Sequence, residues 1–148
     1  MGVKIKFQKI NEKAITPHYI HEGDSGMDLF SCVNDVLSPG ERKLIPTGLK
    51  AEIPRGYEMQ IRPKSGLALK SGITVLNTPG TVDSGYRGEI AVILYNASNQ
   101  NYEVAIGQKI AQAVISRIEE AEIEEVNELS NIIRGEGGFG STGLEVKL

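Results

Sequence analysis

Apolar and polar residues alternate at the start of the chain, where Val3, Ile5 and Phe7 are separated by two lysines. A period of two puts successive side chains on opposite faces of a strand, so this stretch predicts a β-strand with one buried face. Further β-rich runs follow, separated by PG, PRG, NTPG and SNQN turn sequences. They are LIPTGLKAEI (44–53), YEMQIRP (57–63), GEIAVILYN (88–96), YEVAIGQKIAQAVISRI (102–118) and AEIEEV (121–126).

Helical periodicity is confined to one short segment. KSGLALKSG, residues 64–72, predicts a short helix with Ser65 as its candidate N-cap. A chain of 148 residues is long enough for one domain with a real core. The pattern therefore predicts an all-β fold, a jelly-roll-like sandwich or barrel with one short helix.

Composition changes after Ile133, where RGEGGFGSTG is too rich in glycine to pack by itself. We expect a β domain over residues 1–133 and a flexible glycine-rich C-terminal arm over residues 134–148. Such an arm can wrap an anion with its backbone N–H groups. The Arg134 guanidinium would add donors and Phe139 a stacking surface, although a terminus without a ligand is the simpler interpretation of this segment alone.

Charge and cysteine content narrow the possible partners and setting. The net charge of −3 and the pI near 5.5 give no broad cationic field, so we expect neither nucleic-acid nor membrane binding. The single cysteine, Cys32, has no internal disulfide partner, and the charged N-terminal residues do not resemble a signal peptide. These features predict a reducing, cytoplasmic setting.

Two aspartates and one cationic segment are candidates for chemistry. Asp28 lies in SGMDLF and by itself most simply caps a turn. Asp83 also lies in a turn, but an apolar strand follows closely and would hold its carboxylate on a rigid support, as a general base requires. Lys64 and Ser65 precede the predicted helix, and a helix N-terminus can receive phosphate.

Five segments, in this order, resemble the five motifs of the trimeric dUTPases, the dUTP diphosphatases. They are SGMDLFSC (25–32), RPKSGLALKSGI (62–73), NTPGTVDSGYRGEIAVILYN (77–96), GQKIAQAVI (107–115) and RGEGGFGSTG (134–143). The resemblance implies a β jelly-roll subunit in a homotrimer, with three active sites that are each assembled from all three chains. It also implies hydrolysis of dUTP to dUMP and pyrophosphate with Mg²⁺, which limits uracil incorporation into DNA and supplies dUMP for thymidylate synthesis.

The resemblance also implies roles for individual residues. Asp83 matches the carboxylate that activates the water attacking the α-phosphorus, and Tyr86 matches the aromatic that packs on deoxyribose and excludes a 2′-hydroxyl. Asp28 matches the acidic position that helps hold the hydrated metal through water, and Gln112 a polar residue near the catalytic water. The other implied nucleotide-binding residues are Lys64, Ser65 and Gly66 at the phosphates, Asn77, Gly80, Thr81 and Val82 in the uracil hairpin, and Arg134, Phe139, Gly140, Ser141 and Thr142 in the closing arm.

The chain departs from the family pattern at two places. Many relatives have arginine where this chain has Lys64, so a bidentate fork is replaced by a point charge. Before Arg134 the family usually has polar residues, whereas Ile132 and Ile133 are apolar and would suit packing against a neighbouring subunit.

Two other functions compete with dUTP hydrolysis. A dCTP deaminase of the same fold would need a catalytic glutamate at the position of Ile93, which cannot transfer protons. A non-catalytic β-sandwich interaction module would explain the glycines of the arm through strand addition to a partner. It would leave the combination of Asp83, Tyr86, Arg134 and Phe139 without a reason.

Overall fold

The chain folds into two four-stranded antiparallel sheets and one two-stranded sheet, in a computed structural model that describes residues 2–139 and residue 141. The strands in chain order are β1 (Lys6–Lys9), β2 (Gly26–Phe30), β3 (Asp35–Leu37), β4 (Arg42–Glu52), β5 (Tyr57–Arg62), β6 (Ile73–Val75), β7 (Gly80–Val82), β8 (Ile90–Asn96), β9 (Tyr102–Val104) and β10 (Lys109–Arg117). The one helix in this part of the chain, α1, spans Ser65–Ser71. None of the described helical structure is long and apolar enough to cross a membrane.

The two larger sheets pack face to face as a sandwich. Their strand orders are β1-β4-β8-β6 and β2-β10-β5-β7, and β3 pairs with β9 at one side. Strand β8 shows why the sequence folds this way, since its residues alternate between buried and half-buried along its length. Ile45, Leu94, Leu29 and Met59, two from each sheet, are fully buried in the core between them. The predicted all-β sandwich is confirmed for the described residues.

The predicted strands are mostly confirmed, with one error. The run 102–118 divides into β9 and β10 at a turn in which Gly107 has a φ of 78°. The AEIEEV prediction is wrong: residues 121–126 form no strand and are exposed. Ile123 illustrates the reason, because it is 92% exposed and so packs against almost none of the described residues.

The helix prediction is confirmed in position, but its N-cap is not Ser65. Lys64 has extended dihedral angles and its carbonyl accepts the first helical hydrogen bond, from the N–H of Ala68, so Lys64 occupies the N-cap. Its side chain makes no capping bond. Gly72 ends the helix in the left-handed conformation, with a φ of 65°. The side chain of Lys64 is thereby left available for another contact.

Asn96 joins three parts of the fold from a fully buried position at the end of β8. Its Nδ2 donates to the carbonyls of Leu37, at 3.0 Å, and Gln100, at 2.7 Å. Its Oδ1 accepts from the N–H and the hydroxyl of Ser98. A buried amide with all its hydrogen bonds made fixes the loop after β8 against β3.

We expect Asn96→Ala to destabilise the protein by about 2–4 kcal/mol, because it leaves two buried or partly buried carbonyls without a donor. Asn99→Ala is the matched control, since Asn99 is an exposed asparagine of the same loop, and it should cost less than about 0.5 kcal/mol. Urea unfolding at one fixed protein concentration measures both. Equal stabilities of the two variants would contradict the role assigned to Asn96.

Candidate active site

The loop from Asp83 to Glu89 presents an exposed carboxylate on a backbone that is fixed by hydrogen bonds. The N–H of Tyr86 donates to the carbonyl of Asp83, and the Tyr86 hydroxyl donates to the carbonyl of Glu89 at 2.9 Å. Arg87 donates from Nη1 to the carbonyl of Ser84 at 2.8 Å. The sequence predicts that the strand following Asp83 supports it. The loop's own hydrogen bonds supply much of that support.

Gly88 allows the Tyr86 ring to lie against the loop. A Cβ at Gly88 would lie 2.3 Å from the Tyr86 hydroxyl oxygen and 2.8 Å from a ring carbon. These separations are below any van der Waals contact, so a larger residue would displace the ring. Tyr86 remains 46% exposed, and one face of it is therefore available to a ligand.

The segment from Asn77 to Tyr86, which the resemblance assigns to the uracil hairpin, contains β7 and pairs through it with β5. Gly80 is buried, and a Cβ there would lie 3.1 Å from the Asn77 side-chain nitrogen. Asn77 and Thr81 are exposed, and Val82 is half-buried. The structure thus places Asn77, Gly80, Thr81, Val82 and Tyr86 on one hairpin with Asp83, at the edge of the second sheet.

A second cluster forms where β2, β10 and the segment before α1 meet. Asp28 is 4% exposed, and its Oδ1 accepts a hydrogen bond from the Lys64 ammonium. Lys109 Nζ lies 2.7 Å from Oδ2, in an ion pair that lacks hydrogen-bond alignment, so Oδ2 accepts no hydrogen bond from the described residues. Burial alone would raise the pKa of Asp28, but Lys109 and Lys64 outweigh burial and hold that pKa below its ordinary value.

Lys109 was not identified by the sequence analysis, and a β-bulge explains why. Gln112 pairs with Asp28, but the register of β10 on β2 shifts between Lys109 and Ala111, so that Lys109 pairs with Phe30. Strict alternation would put Lys109 on the face opposite Gln112. The extra residue reverses the alternation and brings Lys109 to the face of Asp28. The one-dimensional pattern contains no signal for this shift.

Gln112 connects the cluster to the segment before α1. Its Nε2 donates to the carbonyl of Pro63 at 2.8 Å, next to Lys64. On the other side, a Cβ at Gly26 would lie 2.3 Å from Gln112 Oε1. Gly26 therefore provides the space that this amide occupies. Ser65 and Gly66 follow Lys64 and are exposed.

The hairpin and the cluster do not meet within one subunit. Asp28 pairs with Gln112 and Gln112 with Arg62, while β7 lies one strand further, so three strand spacings amount to roughly 14 Å. Gly80 pairs with Ile61, so the position before Gly80 is level with Arg62 and therefore with Asp28. Asp83 lies about four residues beyond that level, or roughly 13 Å along the strand direction. The backbones at Asp28 and Asp83 are thus roughly 20 Å apart.

The described part of the predicted arm makes its hydrogen bonds locally. Arg134 Nε donates to the carbonyl of Gly137 at 3.0 Å, and the N–H of Ser141 donates to the carbonyl of Gly138. The Phe139 side chain is fully exposed. Gly140 and Thr142, which the sequence analysis also assigned to the arm, lie outside the described residues. No hydrogen bond joins the described arm residues to either cluster.

Comparison with known proteins gives one consistent result. A sequence profile of the dUTPase family matches residues 12–143. The deoxyuridine 5′-triphosphate nucleotidohydrolase of Clostridium novyi is 58% identical over 96% of this chain and 100% of its own length. The protein of the same name from Nautilia profundicola is 57% identical over 95% of this chain and 99% of its own.

Solved structures agree with the sequence matches. The dUTPase of Staphylococcus bacteriophage 80alpha, with the imido nucleotide dUpNHpp, superposes with a TM-score of 0.89 at 28% identity, over 95% of this chain and 99% of its own. A dUTPase from phage phi11 of S. aureus superposes with a TM-score of 0.80 at 25% identity, over 86% of this chain and 99% of its own. That phi11 structure reveals the coordination of a structural Mg(II) ion.

We expect Gly26→Ala to move the Gln112 amide away from Pro63 while the fold is kept, because the atom in the way is the end of a flexible side chain. The lost hydrogen bond should cost about 1 kcal/mol in urea unfolding. Gly85→Ala is the control, since a Cβ there meets nothing within 4 Å. The side-chain amide resonances of Gln112 report the move directly, and unchanged resonances in Gly26→Ala would refute it.

Proposed function

The chain belongs to the dUTPase family, and we propose that its Asp83 loop and its Asp28 cluster together carry out the hydrolysis of dUTP to dUMP and pyrophosphate. The observation that carries the proposal is the exposed Asp83 carboxylate on a loop held by its own hydrogen bonds. Cleavage of a triphosphate depends mainly on positioning the reactants and neutralising charge, with one base to orient and deprotonate water. The hairpin supplies the base, and the cluster supplies the positive charge.

In this proposal the hairpin binds the nucleoside. Backbone groups between Asn77 and Asp83 hold uracil, with Asn77, Gly80, Thr81 and Val82 in the pocket wall. The exposed face of Tyr86 packs on deoxyribose and leaves no space for a 2′-hydroxyl. Gly88 supports this role, because it lets the ring lie flat against the loop.

The phosphates bind at the second cluster and under the arm. Lys64, Ser65 and Gly66 contact the phosphate chain, and Gln112 lies near the attacking water. The exposed Arg134, Phe139 and Ser141 are free to close over the nucleotide from the arm, together with Gly140 and Thr142. We assign residues 1–133 to the β domain and residues 134–148 to the arm, in keeping with a last described strand that ends at Arg117.

We propose Mg²⁺ as the cofactor, bound to the nucleotide phosphates. Asp28 suits a contact through water and not direct coordination, because both of its oxygens lie beside lysine ammonium groups, while Oδ2 accepts no hydrogen bond from the described residues. Among those residues no group of three or more acidic, histidine or cysteine side chains is arranged to hold a metal. When bound, the ion would neutralise phosphate charge.

The separation of the two clusters supports our proposal of shared sites in a homotrimer. One subunit holds Asp83 roughly 20 Å from Asp28, which is too far for one bound triphosphate to contact both directly. Residues 119–133 support an interface, since Ile123, Leu129 and Ile133 are at least 86% exposed. We infer that a neighbouring copy covers them and that the arm reaches a neighbour's site.

A cytoplasmic setting fits the state of Cys32. This free cysteine is buried, and burial raises the pKa of its thiol, so it remains protonated and unreactive. The alternatives are less well supported. Ile93 occupies the position at which a deaminase would need its glutamate, and its backbone carbonyl accepts a hydrogen bond from Leu76 as an ordinary part of β8. A non-catalytic module gives no reason for the fixed Asp83 loop.

We expect Asp83→Asn to keep the fold and lower kcat for dUTP by about 10²–10⁴-fold, because the amide cannot accept the proton of water. Asp35→Asn is the matched control, since Asp35 lies on β3 in an ion pair with Lys43, and its kcat should stay within about twofold of wild type. Pyrophosphate release measures both. A rate for Asp83→Asn within a few-fold of wild type would remove Asp83 from the base role.

Mixed oligomers test the shared site. Asp83→Asn and Lys64→Met should each be inactive alone, whereas co-refolding them in equal amounts should restore about a quarter of wild-type activity, since a site then needs one intact residue from each of two subunits. If each site lay within one subunit, no mixed site would contain both residues and the mixture would stay inactive. Light scattering establishes the oligomer in each sample.

A further inference from the structure

The Asp28 cluster contains more positive charge than its buried carboxylate needs. Lys64 and Lys109 both contact Asp28, one at each oxygen, and the cluster of three therefore carries one net positive charge. A carboxylate that is 4% exposed needs at least one partner, because an uncompensated buried charge is very unfavourable. One lysine satisfies that need, so the other is available to an anionic ligand.

The two lysines differ in how firmly their backbone is held. Lys109 is in β10, where it pairs with Phe30 of β2 at the bulge. Lys64 lies outside the strands, between the end of β5 and the start of α1. Lys64 also adjoins the exposed Ser65 and Gly66, whereas Lys109 is anchored beside the buried end of β2. The backbone of Lys64 is therefore the freer of the two to turn toward a ligand, although the Lys109 side chain is the more exposed, at 44% against 27%.

We propose that Lys109 is a positioning residue for nucleotide phosphates, which keeps Asp28 neutralised while Lys64 turns from Asp28 to the triphosphate. The inference rests on the proposed function, since it concerns the same site. Without Lys109, a turn of Lys64 toward the phosphates would leave a buried anion next to a polyanion. Loss of Lys109 would therefore weaken binding of the triphosphate and leave binding of the nucleoside at the hairpin unchanged.

The surroundings of the cluster leave Lys109 as the residue for this role. Asp24 faces the same pocket, but its Oδ2 accepts a hydrogen bond from the His21 N–H at 2.8 Å within its own turn. Gln112 carries no charge and donates to Pro63. Among the described residues that line this pocket, Lys64 and Lys109 are the lysines and arginines.

The test measures binding of the imido analogue of dUTP by calorimetry, with EDTA and with Mg²⁺. Lys109→Met should weaken binding of the analogue about ten- to a hundredfold, while the inhibition constant of dUMP should change less than about threefold. The KM for dUTP should rise, with kcat nearly unchanged. Lys109→Arg should restore most of the affinity. Lys43→Met is the matched control, because it removes an ion pair of 2.8 Å on the other side of the fold, and it should bind as wild type.

A double-mutant cycle separates positioning from direct contact. In an Asp28→Asn background no buried charge needs a partner, so adding Lys109→Met should change the affinity for the analogue by less than about threefold. The same loss in both backgrounds would mean that Lys109 binds phosphate directly, and the inference would be wrong. It would also be wrong if Lys109→Met bound the analogue as tightly as wild type. A wild-type protein that neither binds the analogue nor hydrolyses dUTP would instead refute the proposed function.

Discussion

Strand β10 is the constraint on which both the fold and the Asp28 cluster depend. It is hydrogen-bonded to β2 on one side and to β5 on the other, and it supplies Ile110, Ala111 and Ala113 to the core. A strand held on both sides cannot shift register without moving its whole buried face into solvent. The bulge within it is therefore a fixed feature, and the position of Lys109 depends on it.

Small residues define the site as much as charged ones do. Gly26 makes space for the Gln112 amide, and Gly88 makes space for the Tyr86 ring. In both places a functional side chain lies where a neighbouring Cβ would otherwise be. The geometry is supported by backbone hydrogen bonds of sheet and turn, so a binding loop can be exposed and still have one conformation.

One copy of the chain does not bring together the two groups to which we assign the chemistry of its family. Asp83 and the cationic Asp28 cluster lie at separate places on the second sheet, and the residues after Arg117 present apolar side chains to solvent. Both features have the same physical explanation if copies of the chain assemble. A neighbour would complete the site and bury the apolar surface, so that folding, assembly and activity depend on one another.

The sequence by itself determined the β-class of the fold, the position of the helix and the turn that carries Asp83, because period-two alternation and turn residues act locally. Its resemblance to the dUTPases also identified the family that the comparisons support. The tertiary structure decided where alternation fails. The bulge that re-aims Lys109, the N-cap at Lys64 in place of Ser65, and the absence of a strand at 121–126 all depend on which segments pair in space. That pairing is non-local, so no window along the chain contains it.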